Sequence, residues 1–151
     1  MCNTLYSLLK FPSWAYVSGW GSMGNGQTSD VLQKARLAIR DTQKCRPFLS
    51  DFTITNGMIC AGGTGDKDVC AGDSGGPLTC EDDTIVRGQK YLCGIVSWGY
   101  SCDDKSKHKY RSPGVYTDVR KYHGWIRNQV IAQSKWPPRN CLNLLEKFDI
   151  H

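Results

Sequence analysis

The 151-residue chain predicts an all-β fold, an antiparallel β-barrel followed by one C-terminal α-helix. Three observations carry this. Apolar residues fall in short runs separated by Gly-, Ser- and Asn-rich stretches, the punctuation of strands joined by turns. Two of those runs, Pro77 to Cys80 and Tyr91 to Trp98, flank the polar stretch Glu81 to Lys90 and read as the arms of a hairpin. Only near the C-terminus does the spacing turn helical, where Val119, Tyr122, Ile126 and Val130 recur on one face. Short strands closed by a single terminal helix suit an antiparallel barrel.

Taken in order, residues 2 to 15 read as a loop, and the strand pattern begins near Tyr16-Val17. Gly19 to Asp30 shows no periodicity and reads as an exposed loop. From Val31 to Arg40 two patterns compete: Ala35, Leu37 and Ile39 alternate as in a strand, while Leu32, Ala35 and Ile39 fit a helix face. Asp41 is placed to cap a short helical turn leading to Cys45, which Pro47 is expected to stop. Asn56-Gly57 marks a turn before the strand Met58-Ile59-Cys60, and Gly114 to Asp118 is another short strand. The helix runs over roughly Val119 to Gln133, until Trp136-Pro137-Pro138 breaks it. In the remaining tail Leu142, Leu145 and Phe148 form one short apolar face to which no role is assigned.

The length is that of one domain. No apolar run approaches about 18 residues, so no membrane span is expected. The polar start Met1-Cys2-Asn3-Thr4 lacks the basic region and apolar core of a signal peptide. Eight cysteines nevertheless belong to an oxidising compartment. The expectation that reconciles the two is that Met1 is not the natural start of a secreted protein, and that this is a C-terminal fragment or an unusual isoform. The net charge of +5 draws attention to Lys105, Lys107, His108, Lys109 and Arg111, between Cys102 and Pro113. Such a run is either a solvated loop or a docking surface for an acidic partner, a sulfated glycan or an acidic protein. With only Tyr110 interleaved, a nucleic-acid partner is not expected. No Cys-x-x-Cys spacing exists, so neither a zinc site nor another cofactor is expected.

The chemistry centres on Gly72-Asp73-Ser74-Gly75-Gly76, a sharp backbone turn with a hydroxyl at its apex. Glycines admit positive φ and let a substrate backbone approach. A serine held there, beside main-chain N–H groups aimed the same way, has the makings of a nucleophile next to an anion-stabilising hole. The full string through Pro77-Leu78 resembles the nucleophile segment of the chymotrypsin/trypsin serine proteases. Gly94-Ile95-Val96-Ser97-Trp98-Gly99 and Pro113-Gly114-Val115-Tyr116-Thr117 are similar to that family's substrate-binding strand and pocket base. Ser18-Gly19-Trp20-Gly21 and Met58-Ile59-Cys60-Ala61-Gly62 match two further landmarks. These stand in the family's order over roughly residues 2 to 133, leaving 134–151 outside as a tail. The resemblance implies the second of the family's two β-barrels, and it favours a strand for Val31 to Arg40.

By resemblance, Ser74 is the nucleophile and the N–H groups of Gly72 and Ser74 form the oxyanion hole. Asp68, six residues before Ser74, matches the floor of the primary specificity pocket in trypsin-like members, where a carboxylate pairs with a substrate Arg or Lys. Gly99 and Gly114 match the small walls of that pocket. Val69 replaces the commoner Ala or Ser and offers no hydroxyl to an ammonium, so Arg is expected to be preferred to Lys. Ser97-Trp98-Gly99 is expected to pair with the substrate main chain as an added strand. Asp73 matches the residue that receives a newly cut N-terminal ammonium on activation. No activation site precedes Met1, so an unpartnered Asp73 and a loop relaxed toward a zymogen-like state are expected. Pro113 stands where sodium-dependent relatives carry Tyr, so no sodium site is expected.

The departure from the family pattern concerns histidine. The general base and its orienting aspartate belong to the first barrel, and none of His108, His123 and His151 matches the catalytic motif. Losing that histidine costs about six orders of magnitude in a comparable triad enzyme, so the isolated chain is expected to be inactive. It is also expected to expose the apolar face that normally packs on the first barrel. Spacing alone leaves the cysteine pairing open. The resemblance implies Cys45–Cys60 and Cys70–Cys102. The usual partner of Cys80 would sit where this chain has Ala15, while the unusual Cys93 falls opposite in the same hairpin, so a Cys80–Cys93 bridge is expected. Cys2 approximates the tether to an upstream propeptide or light chain; pairing with Cys141 is the alternative.

Two functional readings follow. The first is a secreted trypsin-like serine endopeptidase, present as its C-terminal part and acting through an acyl-enzyme. The second is a non-catalytic protease homologue that serves as a binding module. Intact Ser74 and Asp68 favour the first; the absent first barrel favours the second if Met1 is a true start.

Overall fold

The computed structural model describes residues 13–24, 26–63, 69–81, 90–100 and 112–133. Six antiparallel strands close into a barrel: β1 (Trp14–Gly19), β2 (Gln33–Arg40), β3 (Met58–Ala61), β4 (Pro77–Glu81), β5 (Lys90–Trp98) and β6 (Gly114–Asp118). Their order around the barrel is β1-β2-β3-β6-β5-β4, and β4 pairs back onto β1. Closure leaves no strand edge exposed. The fold class expected from the sequence is the one observed.

Period-two alternation decides which residues point inward. On β1, Ala15 and Val17 are buried while Trp14, Tyr16 and Ser18 face out. The competing patterns over Val31 to Arg40 resolve in favour of the strand, because pairing of Leu37 with Ala15 sends Leu37 into the core. The barrel interior is filled by Ala15, Val17, Leu37, Ile59, Ala61, Leu78, Cys80, Cys93, Val96 and Tyr116. A second cluster, Cys45, Leu49, Ile54, Cys60 and Val115, forms on the outer face of β3 and β6 and also takes in Met58, Trp98 and Tyr100.

That outer cluster is supplied by a short helix, α1 (Thr42–Cys45), whose Asp41 cap accepts a 2.8 Å hydrogen bond from the Gln43 N–H. Pro47 does not stop the chain's helical course as expected. It sits in the first turn of a 3₁₀ segment, Arg46–Phe48, where its missing N–H costs nothing.

Cys80 and Cys93 are joined in a disulfide, with Cα atoms 5.7 Å apart. The strand register explains the reach. Ala15 lies opposite Cys80 on β1, while Cys93 falls at the irregularity between the Leu78–Gly94 and Thr79–Leu92 pairs. That extra residue on β5 turns the Cys93 side chain into the barrel beside Cys80. Cys70 is also disulfide-bonded, and its expected partner Cys102 lies outside the described residues.

The expected Cys45–Cys60 disulfide is not present: both are buried free thiols. They meet in the outer cluster through a side-chain hydrogen bond. That contact, helped by Arg40, holds the Cys45 thiol below its ordinary range, while the same contact and burial push Cys60 well above it.

The terminal helix α2 (Val119–Gln133) has the expected bounds and belongs to a unit separate from the barrel. Its spaced apolar residues Tyr122, Ile126 and Val130 are exposed. No described helix is long and apolar enough to cross a membrane.

Candidate active site

Between Cys70 and β4 the chain makes two successive turns that share Asp73. In the first, the Asp73 N–H donates to the Cys70 carbonyl at 3.1 Å; in the second, the Gly76 N–H donates to the Asp73 carbonyl at 2.9 Å. Each turn puts a glycine with positive φ at its third position, Gly72 at 97° and Gly75 at 81°. That is the slot where any side chain would be strained. Ser74 is thereby lifted to the exposed apex. The second turn is stapled to β5 by a reciprocal pair, Gly75 N–H to Val96 carbonyl and Val96 N–H to Gly76 carbonyl, both 2.9 Å.

These bonds consume the N–H groups of Asp73, Gly75 and Gly76. Among the described residues, the N–H groups of Gly72 and Ser74 donate to no protein acceptor. The two groups assigned to the oxyanion hole are thus, together with the Ala71 N–H, among those that no described acceptor takes.

Asp73 is half-buried, and its carboxylate turns toward Ser18-Gly19-Trp20-Gly21. Oδ1 accepts from the Gly21 N–H at 2.8 Å and Oδ2 from the Cys70 N–H at 3.0 Å. The expectation of an unpartnered carboxylate is thus corrected, because two main-chain donors satisfy it and the Ser74 turn stays formed. A Cβ on Gly19 or Gly21 would collide with the carboxylate. The sequence reading marked these glycines as a landmark without seeing that they make room for Asp73.

Beside Ser74 opens a cavity of about 270 Å³, lined by Val69, Cys70, Ala71, Val96, Ser97, Trp98, Gly99, Tyr100, Ser112, Pro113 and Gly114. Gly99 and Gly114 face each other closely, since a Cβ on Gly99 would touch the Gly114 Cα at 3.5 Å. Val69 packs against the barrel core, Ser97 is exposed, and Trp98 meets Phe52 in a tilted ring pair with centroids 4.9 Å apart. Two features escaped the sequence reading. Tyr100 donates a 2.8 Å hydrogen bond to Asp51, and the Arg40 guanidinium grips the carbonyls of Gly62 and Gly63. Neither pair has a sequence pattern, because each joins residues on separate elements.

The structure therefore brings Ser74, Val69, Ser97, Trp98, Gly99 and Gly114 to one cavity, with Gly72 in the turn that precedes Ser74 and the Asp73 carboxylate bound to the Gly21 and Cys70 N–H groups. Asp68, Cys2, Cys141, His108, His151 and the run Lys105 to Arg111 lie outside the described residues. His123 lies on α2.

Comparison with known proteins agrees with this geometry. The family model for trypsin matches residues 4–126. Coagulation factor XII of Bos taurus is 48% identical over 119 residues, covering 77% of this chain and 18% of that protein. The atrial natriuretic peptide-converting enzyme of Mus musculus is 42% identical over 127 residues, 83% of this chain and 11% of that protein. Transmembrane protease serine 9 of Rattus norvegicus is 44% identical over 122 residues, 78% of this chain and 11% of that protein. The chain thus spans a small part of the length of the relatives it matches. A closed barrel, a serine raised on paired glycine turns beside a cavity, and a family match over most of the sequence lead to one conclusion: the chain belongs to the trypsin family of serine proteases.

Proposed function

We propose that this chain carries the nucleophile and specificity half of a secreted serine endopeptidase that cleaves after Arg or Lys. Ser74 attacks the scissile carbonyl, and the oxyanion that forms is held by the N–H groups of Gly72 and Ser74. Removing one such donor typically costs roughly 2.7–4 kcal/mol of transition-state stabilisation. Asp68 at the pocket floor receives the basic side chain, Val69 biases it toward Arg, and Gly99 and Gly114 keep the walls open. Ser97, Trp98 and Gly99 align the substrate main chain. Asp73 receives the activating ammonium at the seat it already shares with Gly21 and Cys70. The general-base histidine and its aspartate come from an upstream barrel, in a protein tethered through Cys2 to a light chain.

One observation carries the reading: Ser74 stands exposed at a cavity mouth with the N–H groups of Gly72 and Ser74 unclaimed by any described residue. The exposed apolar residues around the Gly19–Asp30 loop, Trp20, Met23, Val31 and Leu32, support a covering upstream barrel.

The test is labelling of the naturally produced protein with a fluorophosphonate probe, alongside turnover of an Arg-amide peptide. Labelling at Ser74 with turnover lost in Ser74→Ala is the expected result. A natural protein that neither labels nor turns over would leave the non-catalytic binding reading in its place.

A further inference from the structure

On the outer face of the barrel, three cations converge on two aromatic rings of β1. Lys34 of β2 holds its ammonium 4.1 Å from the centroid of the Tyr16 ring, and Lys90 of β5 reaches to 5.9 Å of the same centroid. Arg36 lies 4.3 Å over the ring of Trp14. The register accounts for the grouping, since Tyr16 pairs with Arg36, and Ser18 with Lys34, across β1 and β2. Lys90 extends back across β4 to join them. Lys34, Arg36 and Lys90 are all exposed.

Among the described residues, none of the three cations is in an ion pair. Glu81, the cross-strand neighbour of Lys90, is the carboxylate nearest in register and does not pair with it. Two ammonium groups that share one ring lie within about a Debye length of each other, so their repulsion is felt at physiological salt. The rings nonetheless hold these side chains in place, which lowers the entropy lost when an anion binds. An ordered group of like charges with no ion-pair partner among the described residues is preorganised for a polyanion.

We propose that this face, Lys34, Arg36 and Lys90 arrayed on Trp14 and Tyr16, binds a linear sulfated polysaccharide. The observations favour a glycan over an acidic peptide. The barrel is closed and presents no free strand edge, so a peptide is denied the main-chain pairing that gives strand addition its affinity. A sulfated chain needs only cations spaced along a convex surface. Lys34 and Arg36, two residues apart on one strand, supply a spacing of about 7 Å.

The test is affinity of the full chain for a fully sulfated heparin-type dodecasaccharide across a salt series. Neutralising all three cations (K34Q/R36Q/K90Q) should weaken binding at least tenfold. It should also reduce the slope of log affinity against log salt by about one per cation, by counterion release. Tyr16→Leu, which leaves every charge in place, should give a smaller loss at unchanged slope. The matched control K105Q/K107Q/K109Q, in the other basic run of the sequence, should bind nearly as wild type. Thermal melts of each variant separate lost binding from lost folding. Wild-type affinity in the triple variant, or a loss confined to the control, overturns the proposal. So does a polyglutamate peptide of equal charge competing as well as the dodecasaccharide.

Discussion

The carboxylate of Asp73 and the N–H of Gly21 are joined by a 2.8 Å hydrogen bond across 52 positions of sequence. This bond, with its companion to the Cys70 N–H, anchors the back of the nucleophile turn to the loop after β1. Replacing Asp73 by Ala leaves both donors unmet in a half-buried site. The expected cost is about 1–3 kcal/mol for each donor water does not reach, read as a fall in melting temperature. In the assembled enzyme, labelling of Ser74 should fall with it. Gly21→Ala tests the same seat from the other side and should destabilise by roughly 1–3 kcal/mol through overpacking.

The Cys80–Cys93 bridge is expected to contribute about 2–4 kcal/mol, measured as the stability difference between wild type and a C80A/C93A double variant. A sharper test uses the register. Ala15 faces Cys80 across β1 and β4, at the separation of directly opposed residues. The variant A15C/C93A should therefore re-form a bridge to Cys80 from the other side. Peptide mapping without reduction checks this, and a Cys80 left free would show the register to be wrong.

Val69 borders the cavity, and its side chain carries no hydroxyl. In the assembled protease, Val69→Ser supplies a hydroxyl for a substrate ammonium. The ratio of kcat/KM for Lys over Arg peptides should rise on the order of tenfold, the value of one added hydrogen bond to a charge. Gly99→Val should fill the same cavity and depress both substrates together.

The contacting thiols Cys45 and Cys60 should titrate in a fixed order in the reduced chain. Cys45 is held low by the Cys60 hydrogen bond and by Arg40, whereas Cys60 is held high. The depressed folded value of Cys45 adds stability as pH rises through it, up to the ordinary thiol range. The raised value of Cys60 takes stability away once pH passes that range, where the unfolded chain ionises first. Alkylation followed by mass mapping across a pH series should modify Cys45 ahead of Cys60; the reverse order would contradict the arrangement.

Much of this fold is legible in the residues because strand alternation is a local signal. Ala15, Val17 and Leu37 announce an inward face wherever the chain pairs, and α2 declares its period over four turns. The Val31 to Arg40 segment is not decided locally, since its apolar spacing satisfies two periods until β1 pairs with it. The Ser74 turn is legible from its glycines, whose positive φ is a sequence-level requirement. The Asp73 seat is not, because Gly19 and Gly21 gain their meaning only from a carboxylate more than fifty positions away. Cys45 and Cys60 mark the limit of resemblance: position brings the sulfurs together, yet the two remain thiols.

All six strands that close the barrel come from residues 14 to 118. No strand has to be borrowed from elsewhere to complete the hydrogen-bond ladder, so this barrel carries its own architectural closure. The two-barrel protease proposed above is on that ground a natural candidate for splitting. Were its two halves made as separate polypeptides, mixing them would be a docking of finished parts rather than a joint folding event. Activity that appeared only on mixing would then report directly on the meeting of the two pieces.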